Sequence, residues 1–156
     1  MTFSSRYSIG TQTSVNDIAN ALDDITADPS TATNGGSQTI NSGSFTDLTG
    51  MSITKTIGTG ESVLLTFQCN IDQVTATDEF TFQFTRDGTA LGIVLNMCAG
   101  SVGGANYGTP VALSWIDILP SSGAHTYKVQ CKRLTGAGNG LITDRSMCAL
   151  VVQGNS

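Results

Sequence analysis

The chain has 156 residues, enough for one domain with its own core, since a chain of this size buries roughly 70% of the surface its unfolded form exposes. Charged residues make up only 12% of it and hydrophobic residues 39%, and Gly, Ser and Thr are abundant, a mix that suits strands and turns better than long exposed helices. The net charge of −5 argues against nucleic acid or an anionic membrane as a partner, and no stretch approaches the ~18 consecutive apolar residues of a membrane span.

The first ten residues, MTFSSRYSIG, lack the apolar centre of a secretory signal, which points to synthesis and assembly in the cytosol. Residues 14–27 are the one helical pattern: Val15, Ile18, Ala19, Leu22 and Ile25 recur at helical spacing, Ser14 and Asp17 fit a loose cap, and Pro29 ends the run. About three turns do not stand alone in water, so this helix needs a partner surface. Residues 28–38, DPSTATNGGSQ, have the composition of a flexible linker, which divides the chain into an N-terminal arm, 1–37, and a body, 38–156.

From Gln38 onward turn signals recur at short intervals and the segments between them alternate with period two. Strands are expected at 44–48, 51–57, 62–71, 79–86, 89–97, 109–119, 124–134 and 141–153. In 62–71 the residues Val63, Leu65, Phe67, Cys69 and Ile71 share one face. In 79–86 Phe80, Phe82 and Phe84 do the same, and Asp87-Gly88 supplies the positive φ angles of a two-residue hairpin turn. About eight strands with tight turns and no interleaved helices predict an all-β antiparallel sandwich or jelly roll.

Two strands are apolar on both faces. Residues 147–152, MCALVV, are continuously apolar, and 111–119 carry Val111, Leu113 and Trp115 on one side with Ile116 and Ile118 on the other. Such strands need a cover on each face, and a two-layer sandwich provides only one. The other cover comes from the N-terminal arm or from another subunit; a subunit is favoured, with Ile116, Ile118, Met147, Ala149 and Val151 as the expected interface of a homotrimer. The cysteines, Cys69, Cys98, Cys131 and Cys148, are widely spaced and contain no C-x-x-C pair. Cys69 and Cys131 fall on apolar faces and read as free, buried thiols, a disulfide between them being the alternative.

The runs FTDLTGMSITKTIGTGESVLLTFQCNI, FTFQFTRDGTALG and VALSWIDILPSSGAHTYKVQCKR, with the closing MCALVVQ, resemble the jelly-roll heads of tumour necrosis factor and complement globular domains, and more closely the phage versions of that module. The likeness covers about residues 38–153 and rests on strand order, the R-D-G-T hairpin, the S-G-x-H-T-Y-x-V strand and the apolar last strand. It implies a trimer around a threefold axis. In phage such heads occur on capsid decoration proteins and tail-fibre tips.

No catalytic signature accompanies this pattern. A nucleophile needs an activating base, and the single histidine, His125, beside a Ser-Gly turn reads as a surface or hydrogen-bonding residue. Asp72, Asp78 and Glu79 bracket a polar loop without the ligand ladder of a calcium site, and read as a solvated hairpin tip. Gly136, Gly138 and Gly140 join two strands and read as turn glycines. Asn106 and Tyr107, in a Gly-rich loop, are candidates for sugar contact. The expectation is therefore a non-enzymatic virion protein without cofactor or metal: a trimeric decoration (cement) protein that grips the major capsid protein through Phe3, Tyr7, Ile9, Val15, Ile18 and Leu22. The alternative is a tail-fibre head that binds a host surface receptor or glycan.

Overall fold

A computed structural model of the chain describes residues 29–73, 78–92, 95–98, 108–118, 120–136 and 138–153. The helix expected at 14–27 and the six arm residues from Phe3 to Leu22 lie outside this set. So does the loop with Asn106 and Tyr107.

Ten strands are described: β1 Pro29–Asn34, β2 Gln38–Ile40, β3 Thr46–Ile57, β4 Glu61–Gln73, β5 Glu79–Arg86, β6 Thr89–Ala90, β7 Leu95–Cys98, β8 Thr109–Asp117, β9 Gly123–Thr135 and β10 Gly140–Gln153. They form two antiparallel sheets, β1-β10-β4-β8 with β2 also on β10, and β3-β9-β5-β6 with β7 also on β5. β1 and β2 both pair with β10, and β6 and β7 both pair with β5, so the five strands of each sheet fill four positions. Eight strand positions that switch between the two sheets make the predicted jelly roll.

The linker reading of 28–38 does not hold, because β1 and the start of β2 form the first jelly-roll strand there. Pro29 stands at the first position of an edge strand, where a missing N–H costs no ladder bond, and pairs with Leu150. Ala32 then turns inward onto the core. The strands expected at 44–48 and 51–57 are one strand, β3, with a register shift between Asp47 and Ser52 beside Gly50 at φ +80°. Asp87 and Gly88, at φ +49° and +83°, make the expected hairpin turn between β5 and β6.

The core lies between the sheets. Val63, Leu65, Phe67, Cys69 and Ile71 from β4 meet Phe80, Phe82 and Phe84 from β5 and Tyr127, Val129 and Cys131 from β9, all buried. The Phe67 and Phe82 rings stand 6.0 Å apart across the layers. Burying each such large side chain contributes about 1.5–3 kcal/mol.

One irregularity decides which face of β10 is inside. Ile142 is buried, and period two from there would send Met147, Ala149 and Val151 outward. A bulge between Thr143 and Ser146, with Asp144 at φ +50°, inserts one residue and reverses the alternation. Met147 and Ala149 are fully buried in the sandwich and Val151 packs against its core. These residues of the expected subunit interface therefore face their own chain's core, and Cys148, Leu150 and Val152 face outward.

Candidate functional site

Two features of the described residues carry chemistry: a polar cluster at one end of the sandwich and the outer face of the β1-β10-β4-β8 sheet. The first is built by the β5–β6 turn, the β8–β9 connection and the start of β9. His125, 9% exposed, places Nδ1 2.6 Å from Asp87 Oδ2. Its Nε2 lies 2.7 Å from the Ser121 carbonyl oxygen and 3.2 Å from Ser121 Oγ. Asp87 is fixed from the other side as well, since the Thr126 N–H donates to its Oδ1 at 2.8 Å and its own N–H donates to the Thr126 carbonyl at 2.9 Å.

Serine, histidine and aspartate thus stand in the order of a hydrolytic triad, and the hydrogens decide what the arrangement can do. Nδ1 faces a carboxylate and Nε2 faces a carbonyl at the shorter of its two distances. The carboxylate only accepts, so Nδ1 carries hydrogen, while Nε2 lies between an accepting carbonyl and a hydroxyl that can donate, and its role follows the tautomer. The Asp87 carboxylate and then the Ser121 carbonyl hold the His125 pKa above its usual value, and the His125 ring holds that of Asp87 below its own. The cluster ties Ser121 through His125 to the β5–β6 turn.

Beside it, Arg86 Nη1 donates to both Asp117 oxygens at 2.8 Å, and the Tyr127 hydroxyl donates to Asp117 Oδ2 at 2.9 Å. Arg86 and Asp117 belong to different sheets, so the pair closes this end of the sandwich. Burial, and then the bond to Asp117, push the Tyr127 phenol up.

The second feature is a matter of register. Ile116, Leu64, Leu150 and Pro29 are successive cross-strand partners, so they form one row across β8, β4, β10 and β1. The row spans about 14 Å at the usual strand spacing. Ile116 is 50% exposed and Ile118, just past the end of β8, is 72% exposed. The next two rows are Ser114, Thr66, Cys148 and Thr31, then Ala112, Gln68, Ser146 and Thr33. None of these residues is charged, and the short side chains leave a shallow depression lined by Thr66, Gln68, Ala112, Ser114 and Ser146.

The opposite sheet is different. Its outer face carries Lys128, which meets Asp47 at 2.7 Å, and Lys132, which lies 4.7 Å over the Phe45 ring.

The other candidates take structural places. Asp78 is buried and accepts the Gly138 N–H at 3.1 Å, so the solvated tip expected there is not observed for this residue. Gly136 stands at φ +87°, and a Cβ there would overlap the Asp78 carboxylate. Cys69, Cys131 and Cys148 are free thiols. Burial pushes the Cys69 thiol up to about 12 and that of Cys131 higher still, so neither is a nucleophile at neutral pH. Sequence reasoning missed the His125 cluster and the buried Arg145. Both depend on register between distant strands, and the one local signal for the first was the aspartate of the Asp-Gly turn.

No protein-family model matches the sequence, and no curated protein matches it either. Among solved structures the chain is similar to one of infectious bursal disease virus, Gx strain, with 14% identity over 84% of this chain and 33% of that one, at a TM-score of 0.49. An insecticidal delta-endotoxin of Bacillus thuringiensis, Cry8Ea1, gives 15% identity over 76% of this chain and 20% of that one, at 0.41. A family two carbohydrate esterase from Cellvibrio japonicus gives 10% over 84% and 37%, at 0.35. The chain spans about a third or less of the virus and toxin chains. Likenesses this distant carry no function across to it.

Proposed function

We propose that this chain is a non-enzymatic structural protein of a phage virion, a homotrimeric capsid decoration protein assembled in the host cytoplasm. The observation that carries the reading is the apolar row on the outer face of the β1-β10-β4-β8 sheet, with two uncharged rows beside it. A surface of this kind, with two isoleucines half or more exposed at one edge, is characteristic of a face that another protein covers. The occupant is a second copy of the chain, in keeping with the resemblance to trimeric jelly-roll heads. The contact residues are Ile116, Ile118, Leu64, Leu150 and Val152, which take the place of Met147, Ala149 and Val151.

Attachment to the major capsid protein belongs in this reading to the arm, through Phe3, Tyr7, Ile9, Val15, Ile18 and Leu22. The test is binding of the purified chain to empty capsids. Truncation of residues 1–28 abolishes capsid binding and leaves the β-type circular dichroism spectrum intact; undiminished binding by the truncated chain would remove the arm from the account.

A second reading, a receptor- or glycan-binding head, is favoured by the hydroxyl-lined depression beside the row. Saturable glycan binding without capsid binding would select it.

A further inference from the structure

We propose that the body stands on the capsid by the end at which the arm enters it and turns its opposite end outward. This orientation rests on the reading of the arm as the capsid attachment. Residues 28–38 have a linker's composition, yet Pro29–Asn34 is strand β1, paired residue for residue with Leu150 to Arg145. The tether expected there is therefore part of the sheet. Leu22 comes seven residues before Pro29. Seven residues reach at most about 25 Å when fully extended, so a surface gripped by Leu22 lies within that distance of the Pro29 corner.

The register shows which end of the sandwich the corner belongs to. Pro29 opposes Leu150, Leu150 opposes Leu64 and Leu64 opposes Ile116, so the corner lies beside the start of β4 and the ends of β8 and β10. The β3–β4 turn is at this end, because β3 stops at Ile57 and β4 begins at Glu61. The β2–β3 turn is at the other: Ile40 opposes Gly140, which opposes Gln73 at the far end of β4. The 13 residues of β4 hold the two ends about 40 Å apart, beyond the reach of Leu22.

The apolar surface gathers at the arm end as well. Beyond the row of Ile116, Leu64, Leu150 and Pro29 in that direction comes Val152, opposite Ser62, and in the other direction come Ser114, Thr66, Cys148 and Thr31. The proposed contact between copies thus lies next to the point where the arms leave. A threefold axis then holds three arms at one height, and a ring anchored by three arms on one end stands on that end.

The experiment places one reactive thiol at each end, Thr59→Cys or Gly43→Cys, in the full chain with Cys98→Ser and Cys148→Ser. Its reaction with a maleimide-linked polyethylene glycol is followed free in solution and on empty capsids. Both positions are exposed turn residues, and a Cβ at Gly43 meets nothing within 4 Å. Cys69 and Cys131 are buried. Ser44→Cys, on the same exposed turn as Gly43, is a second probe of the far end. All three thiols react in the free protein. On capsids Thr59→Cys loses its reaction, and Gly43→Cys and Ser44→Cys keep theirs. Capsid binding with the far-end thiols shielded instead, or with both ends equally reactive, keeps the arm as the attachment and overturns the orientation. A natural chain that does not bind capsids removes the reading and the orientation together.

Discussion

Arg145 is the residue on which the first jelly-roll strand depends. The β10 bulge turns it into the fold at 3% exposure, where Nη1 donates to Gln38 Oε1 at 2.8 Å and Nη2 to the Gly36 carbonyl at 2.9 Å. Gln38 in turn accepts the Thr49 N–H and donates to the Asp47 carbonyl, so one guanidinium ties the break between β1 and β2 to β3. Arg145→Leu removes both bonds to the β1–β2 break and should lower stability by about 1–3 kcal/mol in urea unfolding. Composition and periodicity give no hint of this, since an arginine in a strand reads as a surface residue. His125 contributes at the same scale, with a sign set by its raised pKa. Its stabilisation is fully present below the unfolded value of 6.5 and is lost as pH rises through the folded value; that of Asp87 is lost as pH falls through a folded value below 3.8. The stability gap between the natural chain and His125→Gln should therefore be widest between those limits and narrow on either side, measured by urea unfolding at a series of pH values.

At the scale of elements, β4, β5 and β9 were legible because Val63 to Ile71, Phe80 to Phe84 and Tyr127 to Cys131 alternate cleanly, and the Asp-Gly turn marked its own hairpin. β10 was legible as a strand and not as a face. Met147 through Val152 are apolar in both parities, so only the bulge at Asp144 and Arg145 decides which set is inside, and a bulge is a property of the pairing with β4. β1 was missed because PSTATN is short, Pro-led and polar, and becomes a strand by pairing with β10. Adjacent substitutions test the orientation. Ala149→Asp buries a charge in the core and should cost about 3 kcal/mol or more, enough to unfold a marginal domain, whereas Leu150→Asp, one residue on, should leave the circular dichroism spectrum unchanged. Reducing agent should leave the melting temperature where it is, because Cys69 and Cys131 pack as thiols; a large drop on reduction would mean that they are bridged.

At the scale of the whole molecule, the two sheets face different surroundings. The β3-β9-β5 side is dressed with ion pairs and amides, and the β1-β10-β4-β8 side presents an apolar row backed by uncharged small residues. The proposed contact between copies makes use of that asymmetry. The expectation of an outward apolar surface was legible in Ile116 and Ile118; the row was not, because it joins residues from four strands that are far apart in sequence. The central claim, that this face binds another copy, is tested most directly by the sedimentation mass of the full 16.2 kDa chain at micromolar concentration, alone and as the double variant Leu64→Asp, Ile116→Asp. The account predicts three chains for the natural protein and one folded chain for the variant, and a natural protein that sediments as a folded monomer would contradict it.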